Sequence, residues 1–337
     1  MKIGDFVIGE KTFIVAEIAG NHNGSLETAK KLIKSAKEAG ADAVKFQTYQ
    51  AEKYIDKNEP ALALVSKFFK TQQERYKSLQ FSPKQWEMLI NLCGELEIMF
   101  FSTPADQDSV DFLAPYVCAY KIQSGDVTNI PLIRQVVKKG KVVIMSTGMA
   151  SEDELETAVK EVPEDRLVLL HCVSIYPTPA DKTGLLSIAY LQNKFNVPVG
   201  YSDHSLNSLA CLAAVACGAV IIERHFTNDK NQEIGDHRFS ADADEFKRMV
   251  KDIREIEKMM TGFDQRLTES ELKMRYMLRR SLVLTADAGK GTVLTEQMLM
   301  PLRPEKGISS RKIDYVVGKR TTRDLWSGQF ITEKDIA

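Results

Sequence analysis

Two short motifs offer metal chemistry: Asp203-His204 and Glu223-Arg224-His225 close the two apolar runs of VGYSDHSLNSLACLAAVACGAVIIERHF, residues 199–226. The stretch between the runs is rich in small residues and helical in pattern. If the runs are adjacent parallel strands, both imidazoles sit at one carboxyl end, where parallel-sheet enzymes assemble their sites. Two neutral imidazoles there can hold one divalent metal, leaving positions open for water and substrate. The alternative is one structural and one surface histidine.

Two lysines bear on that choice. Lys45 in ADAVKFQ and Lys121 in AYKIQSG interrupt apolar runs, and an ammonium buried without an anion is costly. Each lysine therefore needs a partner, either an ion pair with Glu17 or Glu223 or a bound ligand. Hydroxyls close several other runs: Ser102-Thr103, Ser124, Ser146-Thr147, Ser174 and Ser202. That set suits a small phosphorylated carboxylate, with lysine supplying charge and the hydroxyls and backbone amides supplying direction. No GxGxxG or Walker-type loop competes for a phosphate. Glu17 and Gln47 complete the run-end polar residues. His22, in Asn21-His22-Asn23, reads as local scaffolding, and His171 as a core histidine or a further metal ligand. Tyr176, in YPTP, is a packed ring or a substrate contact.

These residues need a frame that brings run ends together. Val- and Ile-rich runs begin near 13, 41, 98, 119, 142, 166, 197 and 219, separated mostly by amphipathic stretches such as SLETAKKLIKSAKEAG. Runs apolar on both faces imply parallel strands covered by helices. Eight strand–helix units in about 260 residues predict a (β/α)8 TIM barrel, with a doubly wound open sheet as the runner-up. Ser25, Ser82-Pro83 and Ser151 mark helix starts. Residues 1–12 read as a hairpin. The long connection 48–82 is expected to carry a helix over Leu62–Tyr76 that could act as a lid. After a helix near 243–260 the texture becomes polar, then turns β-rich from Arg280. The expected organisation is therefore a barrel over 1–265, a linker over 266–279 and a small β domain over 280–337.

Composition sets limits. The chain has 337 residues, 44% hydrophobic and 27% charged, with a formal net charge of -1, which gives no basic footprint for nucleic acid or an anionic membrane. No signal-peptide pattern opens it, and no apolar stretch approaches the roughly 18–20 residues that span a bilayer. Its five cysteines are odd in number and form no CxxC pair, which points to a reduced, cytoplasmic setting.

The run ends also carry a resemblance. AEIAGNHNGSLETAKKLI, GADAVKFQT, FFSTPAD, AYKIQSGD, IMSTGM, LLHCVSIYPTP, GYSDHS and IIERHF resemble, in order, the motifs of the sialic acid (nonulosonic acid) synthase family. AGKGTVLTEQMLMPLRP and GQFITEKDI resemble the antifreeze-like, SAF-type domain that such enzymes carry. The resemblance implies condensation of phosphoenolpyruvate with an N-acetylated amino-sugar aldehyde and water, giving a nine-carbon keto acid and phosphate. Residue by residue, it places Lys45, Thr103, Lys121, Ser124, Ser146 and Ser202 on phosphoenolpyruvate. Glu17, Gln47, Tyr176 and Asp236 fall near the sugar, Glu223 on the attacking water, and His204 and His225 on a divalent metal, Mn2+ by default with Mg2+ or Co2+ as alternatives. It also implies a homodimer in which the small domain, through Arg303, caps the partner's site. N-acetylmannosamine is the default acceptor. Three departures bear on the acceptor: Ser174 stands where asparagine is common, proline is missing between Gly235 and Asp236, and Arg279-Arg280 is more like legionaminic acid synthases. The alternatives are thus a legionaminate or pseudaminate synthase using a 6-deoxy-2,4-diacetamido sugar and, more remotely, a non-catalytic coat-polysaccharide protein.

Overall fold

A computed structural model of the chain describes residues 1–63, 65–260 and 267–337. The opening segment is an antiparallel hairpin of β1 (Lys2–Ile3) and β2 (Phe6–Val7). The apolar runs then form β3 (Phe13–Glu17), β4 (Ala43–Thr48), β5 (Met99–Pro104), β6 (Ala119–Ile122), β7 (Val142–Ser146), β8 (Leu167–Cys172), β9 (Val199–Asp203) and β10 (Ile221–His225). Every residue of β3, β7, β8, β9 and β10 is buried. This is why the runs lack the polar alternation of a half-exposed sheet.

The eight strands are parallel in the order β5-β4-β3-β10-β9-β8-β7-β6, with β5 packed beside β6 at the seam. The first and last strands pair, Phe13 with Ile221 through Glu17 with His225. An open doubly wound sheet would keep those strands apart, so the architecture is the expected (β/α)8 barrel. Register then decides which ends meet: Glu17 lies opposite Lys45, and Ser202 opposite Glu223. At Gly200 a Cβ would come within 2.5 Å of the Ile221 carbonyl oxygen and 2.6 Å of a Leu170 methyl. The close approach of β8, β9 and β10 therefore requires glycine there.

Outer helices follow the sequence signals. Ser25, Ser82 and Ser151 each accept a backbone N–H at a helix start, and Pro83 occupies the first turn of its helix. The helix Leu26–Glu38 buries Ala29, Leu32, Ile33 and Ala36, a stripe at helical spacing that packs on the barrel. Fully burying a side chain such as Leu32 contributes about 1.5–3 kcal/mol.

Two local expectations are corrected. In the 48–82 connection helices span Ala51–Tyr54 and Gln72–Leu79 rather than Leu62–Tyr76, and a capping box of Thr71 and Glu74 fixes the start of the second. The stretch read as linker holds a helix, Glu269–Leu278, begun by a second capping box from Thr268 and Glu271. The expected boundary at 265 lies outside the described residues.

The chain divides into two compact units, Met1–Thr261 and Gly262–Ala337. In the second, β11 (Ser281–Leu284) and β12 (Leu299–Leu302) pair antiparallel. Leu282, Leu284, Leu294, Val316 and Ile331 give that unit a core of its own. No described helix is long and apolar enough to cross a membrane, and all five cysteines are free thiols.

Candidate active site

The carboxyl ends of the barrel strands surround a cavity of about 240 Å³. Glu17, Lys45, Gln47, Lys121, Ser146, Ser202, Glu223 and the two histidines His204 and His225 reach it from strand ends, and Ser124, Ser174 and Tyr176 from the loops just beyond. Both lysines are almost fully buried, and both have acids. Lys45 Nζ pairs with Glu17 Oε2 and lies 3.6 Å from Glu223 Oε1, while Lys121 Nζ lies 3.6 Å from the same Glu223 oxygen. The lysines also donate to Thr103 Oγ1 at 3.2 Å and Ser146 Oγ at 2.6 Å, respectively. Ion pairing and a place on the cavity wall are thus both present.

The pairs are not equivalent. Burial works against the charge on Lys45, but Glu17 and Glu223 more than restore it, so its pKa is raised. For Lys121 burial prevails over Glu223 and the pKa is lowered. Lys121 is therefore the cation short of negative charge. Among the carboxyls, burial raises Glu17 to about 7 despite Lys45. Burial pushes Glu223 the same way, but Lys121 and Lys45 overcome it and hold that carboxyl below its usual range. Two neighbouring acids thus have their proton affinities driven apart, the pattern of an acid and base set.

Several buried cavity atoms lack a hydrogen-bond partner among the described residues: Glu17 Oε1, Glu223 Oε2, Ser174 Oγ and His225 Nδ1. A buried polar atom left unmet costs about 1–3 kcal/mol, so these four are the points at which water or a ligand in the cavity supplies the missing bonds. Backbone shape contributes as well. A Cβ at Gly148 would lie 2.5 Å from Ser174 Oγ and 2.8 Å from Ser124 Oγ. The absent side chain is what allows those two hydroxyls to converge.

His204 and His225 face each other with ring centroids 5.4 Å apart. His204 Nδ1 lies 2.9 Å from the Val173 carbonyl; donation to that acceptor leaves the lone pair on Nε2. Burial, aided by His204 and Lys45, holds the pKa of His225 far below the usual histidine range, so its imidazole is neutral. Asp236 Oδ2 approaches its unmet Nδ1 at 3.6 Å. Among the described residues no group of three or more His, Cys, Asp or Glu side chains is arranged as a metal site. Burial works against a charge on His204, but Cys172, the Val173 carbonyl and Glu223 outweigh it and raise its pKa, so this imidazole gives up its proton when it takes a cation. The pair, with an orphaned nitrogen on His225, then fits a divalent ion that takes its remaining ligands from water and substrate.

The other expected residues are placed as follows. Thr103 supports Lys45 and does not line the cavity. Asp236 lines a neighbouring cavity, and Arg303 is exposed in the second unit, just after β12. His22 is scaffolding: its Nδ1 accepts from Gly24 N at 3.0 Å and its ring packs 4.5 Å from Phe81. His171 Nε2 is 2.7 Å from the Thr183 carbonyl and its ring stacks on Tyr201, a core position apart from the histidine pair. Sequence reasoning passed over Phe239, whose ring centroid is 5.0 Å from that of His225 and 5.4 Å from that of Tyr176. It also gave no role to Asn21. That buried amide accepts from Asp236 N at 2.8 Å and donates to Phe226 O and Ser240 Oγ, pinning the loop with Asp236 to the strand ends.

Comparison with known proteins agrees with this geometry. Residues 32–265 match the model of the NeuB family and residues 279–337 that of the SAF domain. The chain is 38% identical to the N,N'-diacetyllegionaminic acid synthase of Legionella pneumophila, covering 94% of this chain and 92% of that one. It is 36% identical to the pseudaminic acid synthase of Campylobacter jejuni strain 81-176, over 99% of each. A crystal structure of the N-acetylneuraminic acid synthetase of Leptospira borgpetersenii superposes with a TM-score of 0.73 at 33% identity, covering 81% of this chain and 94% of that one. With its barrel, its strand-end cluster and its terminal SAF domain, the chain belongs to the NeuB family.

Proposed function

We propose that this nonulosonic acid synthase joins phosphoenolpyruvate to a 6-deoxy-2,4-diacetamido sugar aldehyde, giving a legionaminate- or pseudaminate-type acid and phosphate. The observation that carries the reading is the cavity itself: two buried ammoniums, a fan of hydroxyls and unmet carboxylate oxygens beside a pair of facing histidines. The products named for the Legionella and Campylobacter relatives favour a diacetamido acceptor over N-acetylmannosamine. Arg279-Arg280 points the same way.

In this reading Lys45 and Lys121, with Ser124, Ser146 and Ser202, hold the phosphate and carboxylate of phosphoenolpyruvate, and Thr103 steadies Lys45. Gln47, Ser174, Tyr176 and Asp236 orient the sugar. C3 of phosphoenolpyruvate bonds to the aldehyde carbon, and Glu17, with its pKa near 7, delivers the proton that the aldehyde oxygen takes up. Water adds to the cationic C2 as Glu223, held ionised by the lysines, accepts its proton. The C2–O bond to phosphate then breaks and the keto acid forms. His204 and His225 would hold a divalent ion, Mn2+ in preference to Mg2+ or Co2+, which when bound supplies a Lewis acid for the aldehyde oxygen. The reaction is expected in a reducing cytoplasm.

The test is product mass spectrometry from phosphoenolpyruvate with the diacetamido sugar and with N-acetylmannosamine in parallel. The expected result is phosphate release with both and a higher kcat/KM for the diacetamido sugar. A preference for N-acetylmannosamine would return the N-acetylneuraminate reading, and no phosphate release with either would sink the proposal.

The proposal extends to a homodimer in which the SAF domain of one subunit covers the site of the other and Arg303 reaches the sugar in trans. Support comes from the exposure of Arg303 and from the need to shield the cationic intermediate from stray water. Mixing Arg303→Ala with Lys121→Ala subunits should then restore activity at hybrid sites. Inactive mixtures in which hybrids are shown to form would exclude the trans arrangement.

A further inference from the structure

A second cavity, of about 410 Å³, abuts the candidate site. The two share Tyr176, and the second also touches Asp236 and Phe239, the residues that flank His225. Its character is different. Leu62, Val65, Pro177, Leu206 and Phe239 provide apolar walls beside three charged residues, Arg75, Asp236 and Arg238, whereas the first cavity is lined mainly by charges and hydroxyls. Leu62 and Leu206, 60% and 59% exposed, leave apolar surface open to a ligand in the chamber. Arg75 lies on the same wall, and its Nε is buried with no hydrogen-bond partner among the described residues. A guanidinium N–H left unmet beside an apolar wall is complementary to a carbonyl oxygen that carries a methyl group.

We infer that this chamber receives the 4-acetamido arm and the deoxygenated C6 of the acceptor, with the methyl groups against Leu206 and Phe239 and Arg75 Nε donating to the acetamido oxygen. The inference rests on the function proposed above and adds the residues that select among acceptors. A sugar bearing hydroxyls at C4 and C6 gains little from such walls and must desolvate its hydroxyls to enter. A diacetamido 6-deoxy sugar buries two methyl groups and satisfies Arg75. One methyl or methylene in an apolar pocket discriminates by about 10–200-fold. Chamber contacts are made alike before and during bond formation, so they should act mainly through acceptor KM.

The experiment compares kcat/KM for 2,4-diacetamido-2,4,6-trideoxymannose with that for N-acetylmannosamine at saturating phosphoenolpyruvate. It uses wild type, Leu206→Asn, Leu206→Trp and Arg75→Met. Leu206 is exposed, so its variants should fold. Leu206→Asn should lower the ratio of the two values about tenfold by making the wall polar, Leu206→Trp should lower it by filling the space, and Arg75→Met should lower it by removing the donor. Ratios unchanged in all three variants, with wild type condensing both sugars, would overturn this inference alone. A wild type that condenses neither sugar would overturn the proposed function and this inference with it.

Discussion

Lys121→Met should lower kcat/KM for phosphoenolpyruvate by about 10²–10³-fold while leaving the barrel folded. The side chains are similar in length, and the variant removes the ammonium that burial has left short of negative charge. Such a group gains most when anionic charge arrives, and removing one preorganised donor of this kind costs about 3–4 kcal/mol of transition-state stabilisation. Folding is spared because Glu223 keeps Lys45 at 3.6 Å and the Ser202 hydroxyl at 3.0 Å. Lys45→Met is the informative contrast. It strands Glu17, whose carboxyl is almost fully buried and pairs with Lys45, so it should cost about 3–5 kcal/mol of stability as well as activity. Steady-state kinetics and urea unfolding separate the two. An unchanged kcat/KM in Lys121→Met would leave Lys121 as an ion-pair partner only.

The second large effect concerns the histidine pair. His204→Ala and His225→Ala should each lower kcat by about 10³-fold or more, the several kcal/mol that a Lewis acid contributes. Calorimetric titration should show Mn2+ binding to the wild type and lost in both variants, a readout independent of turnover. EDTA should inactivate the wild type and Mn2+ restore it. His171→Ala is the control: its Nε2 is committed to the Thr183 carbonyl, so it should lose stability and keep metal binding. Full activity after EDTA, with no titratable ion, would remove the metal from the reading.

The two lysines, the two glutamates and the histidine pair were legible in the sequence for one reason: charged and imidazole groups ending apolar runs have no cheap place in a core. The eight strands were legible because runs buried on both faces keep continuous hydrophobicity, and the pairing of β10 with β3 follows from closing them. What escaped lies in the connections. Phe239 and Asn21 come from segments without periodicity, where an aromatic or an amide looks like any surface residue until the chain folds back, and Arg75, on the helix Gln72–Leu79, looks like any arginine of an exposed helix face. The helix Gln72–Leu79 was expected at Leu62–Tyr76, and Glu269–Leu278 lies in the stretch read as linker, for a different reason. Each begins with a Thr-x-x-Glu capping box that was readable but was outweighed by the surrounding apolar or polar texture.

Gly148 sets limits on redesign. Its missing side chain is the space in which the Ser124 and Ser174 hydroxyls meet, so one end of the site is fixed by backbone shape, and any larger residue there displaces both hydroxyls. The opposite end is walled by exposed side chains such as Leu62 and Leu206, which can be exchanged at little cost to folding. Divergence and directed libraries therefore meet unequal resistance along one site: the wall with Leu62 and Leu206 can drift, and the end shaped by Gly148 resists change.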